Sequence, residues 1–332
     1  MGGIKIKKWR DSVKEAVKEI SLYQMGEKKP LITCFDHFNE NALGGVMPGD
    51  VITIAGLSGH GKTYFLQEVE ESILNLNECE NVAFLRFNLE MSVQKLFMRS
   101  VKQTTKRKMS DILLKQPEGE FREQYKEIYE KHRSRRDLFH IEDPTSPEDF
   151  YENCKYFLDT EGMGKDKFCL ITLDHIALIE GKDNKEAIDE TIRYINKLKM
   201  EYKNVTFIIL TQLNRNIENR TNPAELAPRA SDIYQSSTMM FVSDIVIVVH
   251  NPYLLGHKKY LVLSRDDHDY LEEFFTTEGD SKWVNLETQG MLYYHYVKLR
   301  TPDSEETKTI FGKRIIPKRL NNSTIQTKLH DF

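Results

Sequence analysis

The stretch from Gly49 to Thr63 limits the possible fold more than any other part of the chain. A short apolar run, Val51-Ile52-Thr53-Ile54-Ala55, enters Gly56-Leu57-Ser58-Gly59-His60-Gly61-Lys62-Thr63. Glycines in a G-x-x-x-x-G-K-T loop let backbone N–H groups turn inward around a polyphosphate. The lysine reaches the β/γ-phosphates and the threonine hydroxyl can ligate Mg²⁺. From Thr63 to Leu76 there is no Gly or Pro, and Phe65, Val69, Ile73 and Leu76 recur at the helical period. A helix N-terminus behind the loop adds its dipole to anion binding. The pattern predicts a nucleoside triphosphate site built from Gly56, Ser58, Gly59, His60, Gly61, Lys62 and Thr63, with Thr63 also at the metal.

Around this loop, strand and helix patterns alternate, the sign of a parallel sheet with crossover helices. Strands are predicted at 50–55, 82–87, 137–141, 168–173, 205–211 and 244–249, nearly all continuous apolar runs suited to burial on both faces. Helices fit 62–76, 92–103, 120–132, 147–160 and 184–202. After Pro252 the segments shorten and alternate (258–264, 282–286, 290–298 and 307–311), which predicts antiparallel hairpins at a sheet edge. An acidic, loop-like piece runs from Asp266 to Asp280. Ahead of the core, Ser12-x-x-Glu15 has the spacing expected of a capping box, and Val13, Ala16, Val17, Ile20 and Tyr23 follow the helical period. That apolar face must pack on its own domain or on a neighbouring subunit. The expected division is 1–30 as a linker helix, 31–312 as the ATPase domain and 313–332 as a basic tail.

Composition excludes several classes. With 39% hydrophobic and 30% charged residues, the chain reads as globular with a sizeable core. No apolar run approaches the roughly 18 residues that span a bilayer, so no membrane partner is expected. The N-terminus lacks the apolar core of a signal peptide and a Ser or Thr where a myristoylation signal needs one. Cys34, Cys79, Cys154 and Cys169 are scattered with no C-x-x-C, as expected of reduced thiols in the cytoplasm without a zinc site. A net charge of −4 gives no global basic field, which speaks against a coat or chromatin-like binder. It leaves room for a ring whose inner loops alone are positive.

Phosphoryl transfer needs positioning and charge stabilisation, so acidic residues at strand ends are the next candidates. Phe168-Cys169-Leu170-Ile171-Thr172-Leu173-Asp174 is an apolar strand ending in one carboxylate, the pattern of a magnesium ligand beside a P-loop. The run Val82 to Glu90 is another, and in a doubly wound sheet neighbouring strand C-termini converge on the ligand. Glu90 is therefore the candidate general base for the attacking water. Val205 to Gln212 is a third, and its terminal amide is placed to bond a γ-phosphate. Read singly, Asp174 is also a plausible helix cap and Gln212 a surface turn.

These motifs together resemble DnaB-type hexameric replicative helicases. Phe87-Asn88-Leu89-Glu90-Met91-Ser92 looks like their F-S-L-E-M, Thr211-Gln212-Leu213-Asn214-Arg215 like S-Q-L-N-R, and Gly44-Gly45-Val46-Met47-Pro48-Gly49-Asp50 like G-G-L-x-P-G-D. Asp174-His175-Ile176 is closer to phage primase–helicases, which carry D-H-I. The resemblance covers about residues 31–312 and implies an α/β fold: a RecA-like P-loop ATPase core, mostly parallel, with helices on its flanks and antiparallel C-terminal edge strands. It implies ATP and Mg²⁺ as ligands, and a homo-hexameric ring on single-stranded DNA that unwinds duplex 5′ to 3′ in the cytoplasm, that of the bacterial host if phage-encoded. By the same resemblance Lys62 and Thr63 hold phosphate and Mg²⁺, Asp174 serves the metal, Glu90 is the base and Gln212 the sensor. Val297-Lys298-Leu299-Arg300 matches the family's late K-x-R, which makes Arg300 an arginine finger in the neighbour's site with Lys298 beside it.

The stretch Arg229-Ala230-Ser231-Asp232-Ile233-Tyr234-Gln235-Ser236-Ser237 resembles the family's DNA-gripping S-D-L-R-x-S-G loop. Arg229, Ser231, Asp232, Tyr234, Gln235 and Ser236 are thus the expected DNA contacts, of the sequence-independent backbone kind. The chain departs from the pattern with Tyr234 where Arg is usual and Ser237 where Gly is usual. The 332 residues include neither the helical N-terminal domain of DnaB proteins nor a fused primase. The 10–24 helix instead looks like the family's linker helix, which favours docking on the next subunit. Primase and loader are the family's partners, and no motif in this sequence carries either across to the chain. The alternative is a RecA- or RadA-like recombinase that forms filaments on single-stranded DNA, and F-x-L-E-M and T-Q-L-N-R favour the helicase. A regulatory ring ATPase acting on protein partners is the third reading.

Overall fold

The computed structural model describes residues 8–77, 81–135, 137–163, 167–222, 225–263, 275–276, 283–299 and 310–314. Along the chain come α1 (Trp9–Gln24), α2 (Asp36–Asn41), β1 (Val51–Gly56), α3 (Lys62–Leu76) and β2 (Val82–Asn88). Three helices follow, α4 (Val93–Thr105), α5 (Met109–Leu114) and α6 (Gly119–Arg133), and then β3 (Leu138–Ile141). The second half brings α7 (Pro147–Phe157), β4 (Phe168–Asp174), α8 (Asn184–Glu201), β5 (Val205–Gln212), α9 (Ser236–Val242) and β6 (Ile245–His250). Last are β7 (Lys259–Leu263), β8 (Phe275–Thr276), β9 (Trp283–Glu287), β10 (Met291–Leu299) and β11 (Ile310–Arg314).

The main sheet has eight strands in the order β11-β10-β6-β1-β5-β4-β2-β3. From β6 to β3 every pairing is parallel; β10 runs antiparallel to β6 and β11 antiparallel to β10. This is the mostly parallel sheet with antiparallel C-terminal strands that the sequence predicts. One detail differs. The segments predicted at 258–264 and 282–286 are not on the main sheet's edge; β7, β9 and β8 form a separate three-stranded antiparallel sheet. The reason lies in β10, whose run from Met291 to Tyr296 is buried throughout and takes the two-sided place beside β6. The tail from 315 onwards and most of the acidic 266–280 piece lie outside the described residues.

Alternation along the strands sorts the core into two layers. Ile52, Ile54, Phe84, Leu170, Ile208 and Leu210 face α3, through Phe65, Leu66, Val69 and Ile73. Val51, Ala55, Leu85, Phe87, Ile171, Phe207 and Ile209 face the other way, onto Phe150, Cys154, Phe157, Ile188, Ile192 and Ile195 of α7 and α8. Each large apolar side chain buried in this way contributes about 1.5–3 kcal/mol. Local rules start the helices: Ser146 and Asp149 form a reciprocal capping box with Pro147 at the first turn of α7, and Asp183 caps α8 by accepting the Glu186 N–H at 2.9 Å. In contrast, α1 buries none of its residues; Trp9, Val13, Val17 and Ile20 are all exposed. With β1 central, the C-terminal ends of β1, β4 and β5 come together, and there the site lies.

Candidate nucleotide site and nucleic-acid loop

The loop between β1 and α3 is closely fitted to its surroundings. Gly61 caps α3 at φ 98°, a left-handed conformation open to glycine. At Gly56 a Cβ would stand 2.6 Å from the Val249 carbonyl oxygen, so no larger residue fits. Lys62, 7% exposed, donates through Nζ to the Gly56 carbonyl at 2.9 Å and the Leu57 carbonyl at 3.1 Å. Burial lowers the proton affinity of its ammonium, and the nearby Glu90 and Asp174 oppose that shift. Ser58 and Gly59 are exposed at the loop's tip.

Asp174 ends β4 with its side chain almost wholly buried. Its Oδ2 accepts the Thr63 hydroxyl at 3.2 Å, while its buried Oδ1 has no hydrogen-bond partner among the described residues. Burial, helped by Glu90, pushes its pKa up to about 6 against the Thr63 bond and Lys62. Glu90 lies just past β2, exposed, and its N–H donates to the Asp174 carbonyl at 3.3 Å. Asn88 is opposite Asp174 in register, and its buried Nδ2 also has no partner among the described residues. A hydroxyl and an unsatisfied carboxylate oxygen behind an anion-binding loop are the oxygen donors that Mg²⁺ takes. The residues present fit that ion.

Gln212 is exposed at the end of β5, in register with Gly56. Its carbonyl accepts the Tyr234 N–H at 2.9 Å, and the Leu213 N–H donates to the Gly56 carbonyl at 3.3 Å. The end of β5 thus touches both the phosphate loop and the 229–236 segment. Within that segment Arg229 and Ser231 are exposed and Tyr234 half-buried, its hydroxyl donating to Asn184 Oδ1 at 3.4 Å. Gln235 takes φ 51° with its Oε1 buried, and the Ser236 side chain lies outside the described residues. Asp232, expected among the DNA contacts, is only 5% exposed. Its carboxylate accepts the Arg229 N–H at 2.7 Å and pairs with the Arg220 guanidinium, which also donates to the Glu225 and Ala227 carbonyls.

Lys298 is not brought to its own phosphate loop. It pairs with Val246 near the start of β6, level with Thr53, about three residues or 10 Å back along the sheet from Gly56. Its Nζ donates to the Met240 carbonyl. Arg300 lies outside the described residues. The fold also brings in Arg220, His250 and His295, which no motif marks. Arg220 braces the 229–234 loop from twelve positions away. His60 accepts the Asn251 N–H at 3.1 Å and stacks on His250 at 5.8 Å, with His295 beyond at 5.8 Å. Burial holds the His60 and His295 imidazoles down at about 4 and about 3. A groove of about 680 Å³ between α3, α4 and α6 is lined by Phe97, Ser100, His132 and Arg86 and reaches Asn88.

Fold and site first define a class, an α/β P-loop ATPase core of the RecA type. A family model, DnaB-like helicase C terminal domain, matches residues 31–271, and the chain belongs to that family. The replicative DNA helicase DnaB of Helicobacter pylori (strain J99) is 26% identical over 226 residues, covering 65% of this chain and 43% of that protein. The protein of the same name from Buchnera aphidicola is 26% identical over 224 residues, covering 63% and 44%. The chain spans less than half the length of these curated relatives. Among solved structures, a DnaB-like replicative helicase studied with primase superposes with a TM-score of 0.61 at 17% identity, covering 90% of this chain and 67% of that one. A separately solved ATPase domain gives 0.63 at 16% identity, covering 87% and 91%. Identities that low speak for the fold alone.

Proposed function

We propose that this chain is the ATP-hydrolysing motor of a ring-forming replicative helicase, translocating 5′ to 3′ on single-stranded DNA. The observation that carries the reading is the meeting of Thr63 Oγ1 with Asp174 Oδ2 at 3.2 Å, beside buried Lys62 and an Asp174 Oδ1 with no partner among the described residues, in a chain of the DnaB-like family. The Gly56–Thr63 loop binds the triphosphate of ATP through its N–H groups, with Ser58, Gly59, His60 and Gly61 forming the turn. Lys62 leaves the Gly56 and Leu57 carbonyls to meet the phosphates. Thr63 and Asp174 hold Mg²⁺, which when bound neutralises charge on the phosphate oxygens. Glu90, next to the Asp174 backbone, orients and deprotonates the attacking water. Gln212 bonds the γ-phosphate, and its carbonyl bond to the Tyr234 N–H passes the change to the DNA loop.

In that loop Arg229, Ser231, Tyr234, Gln235 and Ser236 contact the DNA backbone, while Asp232 acts through Arg220 and the Arg229 N–H to hold the loop's shape. Lys298, remote from its own P-loop, serves together with Arg300 the site of the next subunit in a hexamer, whose interface the 10–24 helix clasps. We assign 1–30 to that linker helix, 31–312 to the motor and 313–332 to a basic tail. The working compartment is the cytoplasm, the host's if the chain is phage-encoded; no described helix is long and apolar enough to cross a membrane. Family membership favours this reading over a filament-forming recombinase. The test is strand displacement from forked duplexes with ATP. Unwinding that requires a 5′ tail is expected, and no displacement by assembled protein from either fork would overturn the proposal.

A further inference from the structure

A second polar tier lies behind the candidate metal site, and none of the roles above uses it. Arg86 of β2 is in register with Thr172 of β4, as Asn88 is with Asp174. Side chains two apart on a strand point the same way, so Arg86 and Thr172 stand one step behind Asn88 and Asp174, on the face that α3 covers. Glu70 of α3 comes down on this rear tier. Its Oε1 accepts Arg86 Nε–H at 3.1 Å and the Thr172 hydroxyl at 3.2 Å, and its Oε2 lies 2.7 Å from Arg86 Nη2. Glu70 and Thr172 are each 2% exposed, and the Arg86 side chain 14%. Phe84, Leu170, Val69 and Ile73 make the surroundings apolar. About two turns earlier on α3, Thr63 makes the matching contact with Asp174 in the front tier.

A buried ion pair is weak evidence of stabilisation, because desolvation offsets its attraction and apolar replacements are often neutral or better. What the two-pronged guanidinium–carboxylate contact does supply is fixed direction. Of the three elements it joins, α3 carries Thr63, β4 carries Asp174, and β2 leads directly into Glu90. We propose that Glu70, Arg86 and Thr172 are positioning residues for the metal site. They hold α3 at the separation and rotation from β2 and β4 at which the Thr63 hydroxyl and the Asp174 carboxylate can grip one Mg²⁺. The proposal rests on the nucleotide reading of Thr63 and Asp174, and it concerns metal affinity rather than the fold.

The test compares wild type with the double variant Glu70→Leu/Arg86→Met, which fills the space without the directional contact. Affinity for a fluorescent ATP analogue is measured in EDTA and in excess Mg²⁺, beside urea melts of each protein. The double variant is expected to melt no lower than wild type and to bind the analogue equally in EDTA. The gain in affinity that Mg²⁺ brings should shrink about tenfold, the usual size of an outer-shell defect. A stable double variant with the full Mg²⁺ gain overturns the proposal. If the double variant does not fold, Thr172→Val decides: a loss of about threefold, that of one hydrogen bond, is expected, and an unchanged gain overturns the proposal. Wild type that binds no analogue in either condition overturns the nucleotide reading itself, so the two failures are told apart.

Discussion

Replacing Asp174 by Asn should stabilise the nucleotide-free protein while removing its function. Asp174 is 6% exposed, and burial raises its carboxyl from the ordinary 3.8 to about 6 in the folded chain. A carboxyl whose folded pKa is raised binds its proton more tightly folded than unfolded. Its contribution to stability is complete below 3.8 and is lost as pH rises through about 6. At about 1.4 kcal/mol for each tenfold change in proton affinity, ionised Asp174 costs the metal-free protein up to about 3 kcal/mol at pH ~7.5. An amide at this position carries no charge and avoids the cost. At about 2 °C per kcal/mol for a chain of this size, the variant should melt up to about 6 °C higher in EDTA. Near pH ~5 the advantage should fall to about half, because wild type is then largely protonated. Melts in EDTA at the two pH values, with nucleotide binding in Mg²⁺ as the control for lost function, make the assay. A variant no more stable than wild type at the higher pH, or one whose advantage does not shrink at the lower, would refute the reasoning.

Three other outcomes are expected. Glu90→Gln should bind ATP normally and lower turnover by about 10²-fold or more, the scale of a lost general base; normal turnover per bound ATP in stopped-flow would remove the base role. Arg300→Ala should be inactive alone, by about 10³-fold or more for a finger supplied in trans. Mixing it with Lys62→Ala subunits should restore composite sites, and no recovery in mixed rings seen by mass would count against the finger. Tyr234→Arg, which restores the usual family residue, should tighten single-stranded DNA binding and steepen its salt dependence by about one counterion; an unchanged salt slope would place residue 234 away from the phosphates.

What the sequence made legible is what local rules determine. The β1–loop–α3 unit could be read because glycine spacing, an apolar strand and a Gly-free helix each require their own conformation within one short stretch. The buried strands could be read because runs such as Phe207-Ile208-Ile209-Leu210 need cover on both faces. Pairing was less legible: alternation in 258–264 shows that one face is covered but not by which sheet, and the neighbour proved to be β9. The inward turn of Asp232 depends on Arg220, and only the folded loop returns that guanidinium to it. The row of His60, His250 and His295 draws on three distant stretches of chain. Arg86 did leave a signal, since a charge inside the apolar run Val82–Phe87 must be paired to be buried. Its partner Glu70 sits on a different element, and no spacing rule connects the two.

The most direct test of the central claim is ATP hydrolysis with and without single-stranded DNA, with particle mass measured at the same protein concentration. The account predicts strong stimulation by DNA and a mass six times that of one chain. Hydrolysis indifferent to DNA, or a mass that stays at one chain while hydrolysis proceeds, would contradict it.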